Sequence, residues 1–265
     1  MRLRHKIAQM LMMGFDGLTL SLQNPIVSCL KEEGLGGVIL FDKDLLTNQP
    51  DKNLKTRPQI SRLTQGLHAL SNPLKMHNGR VLPLLIGLDY EGGHVDRLAH
   101  IPGCIKTISP SEMSALEPEA FCHQAEKMAL ELKNLGFNLN FAPVVDLNLN
   151  NAQGILGKLG RCFSADADAV TTFARHFIEV FWRHGLICSL KHFPGHGSAA
   201  GDTHLGFVDV TDFYRQSELL PYKTLLKGLN APLMVMTAHV INRHLDIKGL
   251  PATLSYPIIT ELLRH

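Results

Sequence analysis

The segment Lys191-His192-Phe193-Pro194-Gly195-His196-Gly197 runs on through Ser198-Ala199-Ala200-Gly201-Asp202-Thr203-His204 and is the richest in potential chemistry. Asp202 and His204 stand two apart, so a tight loop can bring the carboxylate to the imidazole. A carboxylate in that position orients the ring and stabilises its charged form, which suits an acid/base. Lys191 and His192 follow an apolar run and would be presented at a strand end. Pro194, Gly195 and Gly197 permit a sharp turn, and with Gly201 and Gly206 they suggest a loop that closes over a ligand. The plainer reading of the same residues is a surface loop with local hydrogen bonds.

Other polar groups fall after other apolar runs. Asp89 in Asp89-Tyr90-Glu91-Gly92-Gly93 can accept hydrogen bonds from sugar hydroxyls, and the two glycines permit close backbone approach. The alternative is a strand-end turn with its acids in solvent. Arg161, in Gly160-Arg161-Cys162-Phe163, can bind a ligand oxygen or carboxylate, or tie down its loop. His239, in Met236-Thr237-Ala238-His239, reads as a rim histidine. A metal reading competes, because His192, His196, Asp202, His204 and His239 offer ligands for zinc, although no His-Glu-x-x-His pattern is present. Trp182 falls on an apolar helical face and is expected in the core, and Met10, Met12 and Met13 are expected to be structural.

These residues need a scaffold, and the sequence supplies alternation. Apolar runs at Leu11–Phe15, Val38–Phe41, Leu82–Leu88, Phe137–Val145, Leu186–Leu190 and Leu233–Met236 predict six strands. Helical patterns separate them at Pro25–Glu33, from Thr56, at Pro118–Leu135, around Val170–Phe181 and at Glu218–Leu229, with a last helix capped by Ser255. Thr56 can cap with Gln59 reaching back to it; Gly36-Gly37, Gly136 and Gly185 read as helix stops. Six strand-plus-helix units predict a parallel α/β protein, either a barrel or a doubly wound sheet. In both, the residues after the strands (Asp89, Asp146, Lys191, His192 and His239) gather at one rim.

The 265 residues, 45% hydrophobic and 19% charged, can fill one core and argue against disorder. Lys and Arg number 26 against 24 Asp and Glu, giving a formal charge of +2 and no broad electrostatic case for nucleic acid or an anionic membrane. No apolar stretch is long enough for a transmembrane helix. The basic start Met1–Lys6 precedes a short apolar run without a small-residue cleavage site, so it does not read as a signal peptide. Cys29, Cys104, Cys122, Cys162 and Cys188 are scattered and odd in number, which suggests buried thiols.

Taken together, the motifs resemble the bacterial β-N-acetylhexosaminidase branch of glycoside hydrolase family 3. The resemblance is carried by Lys191–Gly197 with Asp202-Thr203-His204, by Gly36–Phe41, Asp89–Gly93, Gly160–Phe163 and Met236–His239, and by Pro251–Ser255. It implies a TIM-type barrel, here with about six β/α units, forming a single domain over 1–265. It also implies retaining hydrolysis of terminal β-N-acetylglucosamine, typically from muropeptides in cytoplasmic cell-wall recycling. His204 would be the acid/base and Asp202 its orienting partner, while Asp89, Arg161, Lys191 and His192 would bind the sugar. No cofactor or metal is implied.

Three departures stand out. His94 replaces the arginine of a common Gly-Gly-Arg pattern, and Asp42-Lys43 replaces an Arg-Asn pair. The family's nucleophilic aspartate lies on a seventh strand, after a helix resembling Tyr256–Arg264, whereas this sequence stops at His265. An open six-strand arc would expose edges, which predicts marginal stability, aggregation, or rescue by oligomerisation or a complementing fragment. Three readings follow: a family hydrolase with a shortened chain, a sugar- or partner-binding remnant without turnover, and a metal-dependent barrel hydrolase.

Overall fold

The elements form for reasons written in their ends and faces. A computed structural model describes residues 3–71, 83–150, 154–201 and 206–264. The helix Arg57–Leu70 starts where Thr56 accepts a hydrogen bond from the Gln59 amide. Gln59 reaches one residue further back than expected: its Oε1 accepts from the Lys55 amide at 3.0 Å. Its face carrying Ile60, Leu63 and Leu67 is buried. Pro25–Ser28, capped by Asn24, continues as a π-helical turn, Cys29–Glu33. That turn ends at Gly34 in a left-handed conformation (φ 71°), ahead of the expected stop at Gly36. Pro118–Asn134 and Ala167–Arg183 form the two longest helices. Leu220–Gly228 accommodates Pro221 because it lies in the first turn, where no intrahelical amide is needed.

Between these helices run β1 (Met12–Met13), β2 (Gly37–Ile39), β3 (Leu85–Leu88), β4 (Leu139–Asn140), β5 (Ile187–Phe193) and β6 (Leu233–Thr237). They make one six-stranded sheet in chain order, and every pairing is parallel. A doubly wound sheet reverses its strand order part way; this sheet never does. With right-handed crossovers, a monotonic order puts all the connecting helices on one face and all the post-strand loops at one end. The result is a curled, open arc, a partial (β/α)8-like barrel whose edges are β1 and β6. Val38, Ile86, Leu88 and Leu190 are buried within the main core, each worth about 1.5–3 kcal/mol of transfer free energy.

Several sequence expectations need correction. The paired part of β4 is short, with Val144 returning for one isolated bridge to Lys191. β5 runs on through Phe193, so Lys191 and His192 lie within the strand rather than after it. Trp182 is 42% exposed, because the Ala167–Arg183 helix buries the Phe177 and Phe181 side and turns the indole outward. Met10 is 84% exposed, in the turn after the short helix Leu3–Ala8. The last helical segment, Pro257–Leu262, is π-type, and Ser255 Oγ accepts from the Ile258 amide as expected. All five cysteines are free; Cys162 and Cys188 are buried and the others half-buried.

Candidate active site

The polar residues meet at the carboxyl ends of β3 to β6. Asp89 follows β3 directly. Tyr90–Gly92 and Val95–Asp96 then pair antiparallel, a small hairpin that sends Glu91 inward and brings Arg97 back beside Asp89. A Cβ on Gly92 would lie 2.3 Å from the Ile108 carbonyl oxygen, so the glycine admits the chain's own 107–109 loop rather than a ligand. Arg97 escaped the sequence reading. Its Nη2 lies 3.8 Å from Asp89, its Nη1 3.5 Å from Asp42, and its guanidinium sits over the Phe41 ring. Its Nε is buried without a hydrogen-bond partner among the described residues. The available signal was a hairpin turn after Asp89, which brings the eighth residue on back to its side.

Lys191 and Arg161 converge on one carboxylate. Lys191 Nζ is 2.5 Å from Glu91 Oε1 and 2.9 Å from Asp89 Oδ1. Arg161 donates through Nε and Nη2 to the two Glu91 oxygens, each at 2.8 Å. Burial alone would push the Glu91 carboxyl up; the two adjacent cations outweigh it and hold it down at about 2. Glu91 in turn holds the Arg161 guanidinium charged against its own burial. Of the two readings of Arg161, the structure favours the tie: this bidentate pair binds its loop to the hairpin, although the side chain still lines the cavity.

A second carboxylate, Asp146, anchors the next stretch from below. It is buried, and accepts from His192 Nδ1 at 2.6 Å, from the His192 amide at 3.1 Å and from the His196 amide at 2.8 Å. Burial opposes its ionisation, but the histidines and the amide donor prevail and keep its pKa below the usual carboxylate range. Glu218, also missed in the sequence, grips the same loop from the other side. It accepts from the Gly197 amide at 2.9 Å, the Ser198 amide at 3.4 Å and the Arg215 amide at 3.2 Å. Its burial raises its pKa. A Cβ on Gly197 would lie 1.8 Å from the Leu147 carbonyl oxygen. Gly195–Ser198 is therefore wedged between two neighbours and is not free to close over a ligand. Asp202 and His204 lie outside the described residues.

At the end of β6, Thr253 Oγ1 donates to the Ala238 carbonyl at 3.0 Å and meets Thr237 Oγ1 at 3.0 Å and His239 Nδ1 at 3.1 Å. A cavity of about 300 Å³ opens between these groups, lined by Asp89, Arg97, Arg161, Lys191, His192 and His239, among others. It thus offers acidic acceptors, cationic donors and imidazoles within one pocket whose walls also carry Val95, Ile155, Leu156 and Met236. Among the described residues, no three His, Cys, Asp or Glu side chains converge as a metal site would require.

A parallel arc in chain order, with its ionisable side chains gathered at the carboxyl ends of its strands, defines an α/β domain of the barrel class. The chain belongs to glycosyl hydrolase family 3: the model of that family's N-terminal domain matches residues 2–265. Within it, the chain falls in the bacterial β-N-acetylhexosaminidase branch. It is 35% identical over 248 residues to a beta-hexosaminidase A of Pseudoalteromonas piscicida, covering 87% of this chain and 39% of that protein. It is 34% identical over 265 residues to a beta-hexosaminidase of Alkalilimnicola ehrlichii, covering 96% of this chain and 68% of that one. A solved family 3 beta-N-acetylglucosaminidase from Paenibacillus superposes with a TM-score of 0.80 at 30% identity, over all of this chain and 47% of that structure. Among the described residues, no helix is long and apolar enough to cross a membrane.

Proposed function

We propose that this cavity is the sugar-binding part of a β-N-acetylglucosaminide hydrolase site, built on one family 3 N-terminal-type barrel domain over 1–265. The observation that carries the reading is the Lys191–Glu91–Arg161 network. It sets three buried or nearly buried charges behind the Asp89 carboxylate at a cavity wall that His192 also lines. Nearby charged donors and acceptors of this kind suit a ligand rich in hydroxyls. In this reading Asp89, Lys191, His192 and Arg161 contact or frame the sugar, Arg97 joins them, and His239 closes the rim. His204 supplies the acid/base and Asp202 orients it. The substrate class is a terminal β-N-acetylglucosamine on a muropeptide-like glycan, processed in the cytoplasm.

A retaining route needs a nucleophile as well as an acid/base. Asp146 does not fill that role, because its carboxylate is buried beneath His192 and already takes three hydrogen bonds. Sugar binding is therefore assigned to this cavity, and Asp146 is not the attacking group.

The test is calorimetric titration of the purified 1–265 chain with N-acetylglucosamine, alongside turnover of a fluorogenic β-N-acetylglucosaminide with His204→Ala as control. Saturable binding that Asp89→Ala weakens at least tenfold supports the reading. A folded wild-type chain that does not bind the sugar removes it. Turnover that disappears in His204→Ala would show that a nucleophile is present in this chain.

A further inference from the structure

We infer that Asp146 is a positioning residue that fixes the tautomer of His192, so that the ring presents Nε2 to the cavity as a hydrogen-bond acceptor and selects a ligand O–H or N–H at that point. The inference deepens the sugar-binding reading, on which only the identity of the ligand rests.

The geometry leaves little choice of proton position. An ionised carboxylate only accepts, and Asp146 takes two backbone amides in addition to the ring. The 2.6 Å contact between His192 Nδ1 and Asp146 Oδ2 is therefore an N–H donating to oxygen. The proton on Nδ1 leaves Nε2 with its lone pair as long as the ring is neutral. The described residues give Nε2 no hydrogen-bond partner, and His192 lines the cavity. The charged and ionisable groups around the ring come from four segments: Asp146 after β4, Arg161 before the Ala167–Arg183 helix, Lys191 beside it in β5, and His196 in the loop beyond. Burial acts first against a charged ring, and the neighbouring Arg161 and Lys191 cations add to it; the balance lowers the His192 pKa despite Asp146.

The neighbouring donors sharpen the consequence. Lys191 and Arg161 can meet ligand oxygens only as donors, while Asp89 and His192 Nε2 are acceptors. A ligand position facing His192 must therefore carry a hydrogen, which a hydroxyl has and a fluorine or ether oxygen lacks. A site whose buried acceptor is left unpaired discriminates more strongly than one that merely fits a shape.

The primary test is long-range ¹H–¹⁵N correlation NMR of the imidazoles in the wild-type 1–265 chain at pH 7, with the His192 signals assigned by loss in His192→Gln. The expected spectrum shows a protonated Nδ1 and an unprotonated Nε2. A protonated Nε2, alone or with Nδ1, overturns the inference. Asp146→Asn should move the proton toward Nε2, because the amide can donate to Nδ1; an unchanged tautomer in a folded variant counts against Asp146 as the determinant. If that variant does not fold, the wild-type spectrum still decides.

The ligand side is tested with N-acetylglucosamine and its monodeoxyfluoro analogues at C3, C4 and C6. At least one fluorine should weaken binding roughly tenfold in wild type and have little further effect in His192→Gln. Equal binding of all the analogues overturns the selection of a donor. Failure of every sugar to bind, with the tautomer as expected, removes the proposed function and leaves the positioning role of Asp146 standing.

Discussion

The two walls of the cavity are held by different physics. On the β3–β5 side, four charged groups from three segments interlock: Asp89 and Glu91 with Lys191 and Arg161. β5 is buried along most of its length. On the β6 side every strand residue is half-exposed, and the rim residues Thr237, Ala238 and His239 share a single hydroxyl, that of Thr253. The first wall depends on partners that are costly to remove one at a time, because each cation or carboxylate left alone would stay buried. The second rests on neutral hydrogen bonds worth about 1 kcal/mol each. A sugar site of this design has one rigid recognition surface and one adjustable rim.

Breaking the contrast at its strongest point means Glu91→Gln. It strips the shared partner from Lys191 and Arg161 and should cost about 3–5 kcal/mol in urea unfolding. A loss below about 1 kcal/mol would mean that the charged wall is no stiffer than the other. The pH dependence examines the same network without changing its shape. The folded Glu91 pKa lies at about 2 against an ordinary 4.5, so the folded chain binds fewer protons than the unfolded one between those values. Its contribution, about 3 kcal/mol, is present above the ordinary range and fades as pH falls through about 2. Wild type should therefore lose more stability than Glu91→Gln as pH drops from 5 to 2, and parallel curves would contradict the assignment. Gly197→Ala should cost about 2 kcal/mol, because its methyl must displace the Leu147 backbone and shift the loop that Glu218 and Asp146 clamp. On the soft wall, Thr253→Val should cost about 1 kcal/mol and leave the Lys191 network unaltered. A loss there as large as that for Glu91→Gln would erase the distinction between the walls.

The same contrast separates what was legible in the sequence from what was not. Thr56 and Ser255 announced their helix starts because capping is local, and it survived folding. The run of six strands was legible because each strand of this parallel sheet, edge strands included, falls in a short, mostly apolar stretch of sequence. Strand order was not, since a barrel and a doubly wound sheet share that alternation; only the pairing of β1 to β6 in sequence decided it. Asp89, Arg161, Lys191 and His192 were recognisable by motif and do line one cavity. Glu91, Asp146 and Glu218 were underestimated for one reason: each acts mainly through partners far off in the chain, as Lys191 is from Glu91, His192 from Asp146 and Gly197 from Glu218. Arg97 was invisible because a hairpin, not a helical or strand period, returns it to Asp89. Trp182 failed because an apolar helix face is a statement about averages, and a large ring at its margin can face solvent.

Glu218 has a consequence beyond packing. The Gly197 and Ser198 amides lie outside any strand or helix, yet both are buried and donate to one carboxylate. Loop amides normally trade their protons with water quickly; these two should exchange as slowly as those of a core element. They sit a few residues before Asp202 and His204. Their deuterium uptake is therefore a gauge of how often the root of that segment opens, legible in a protein whose substrate has not been added. A carboxylate placed to hold a turn has made the turn's own backbone the instrument that reports on it.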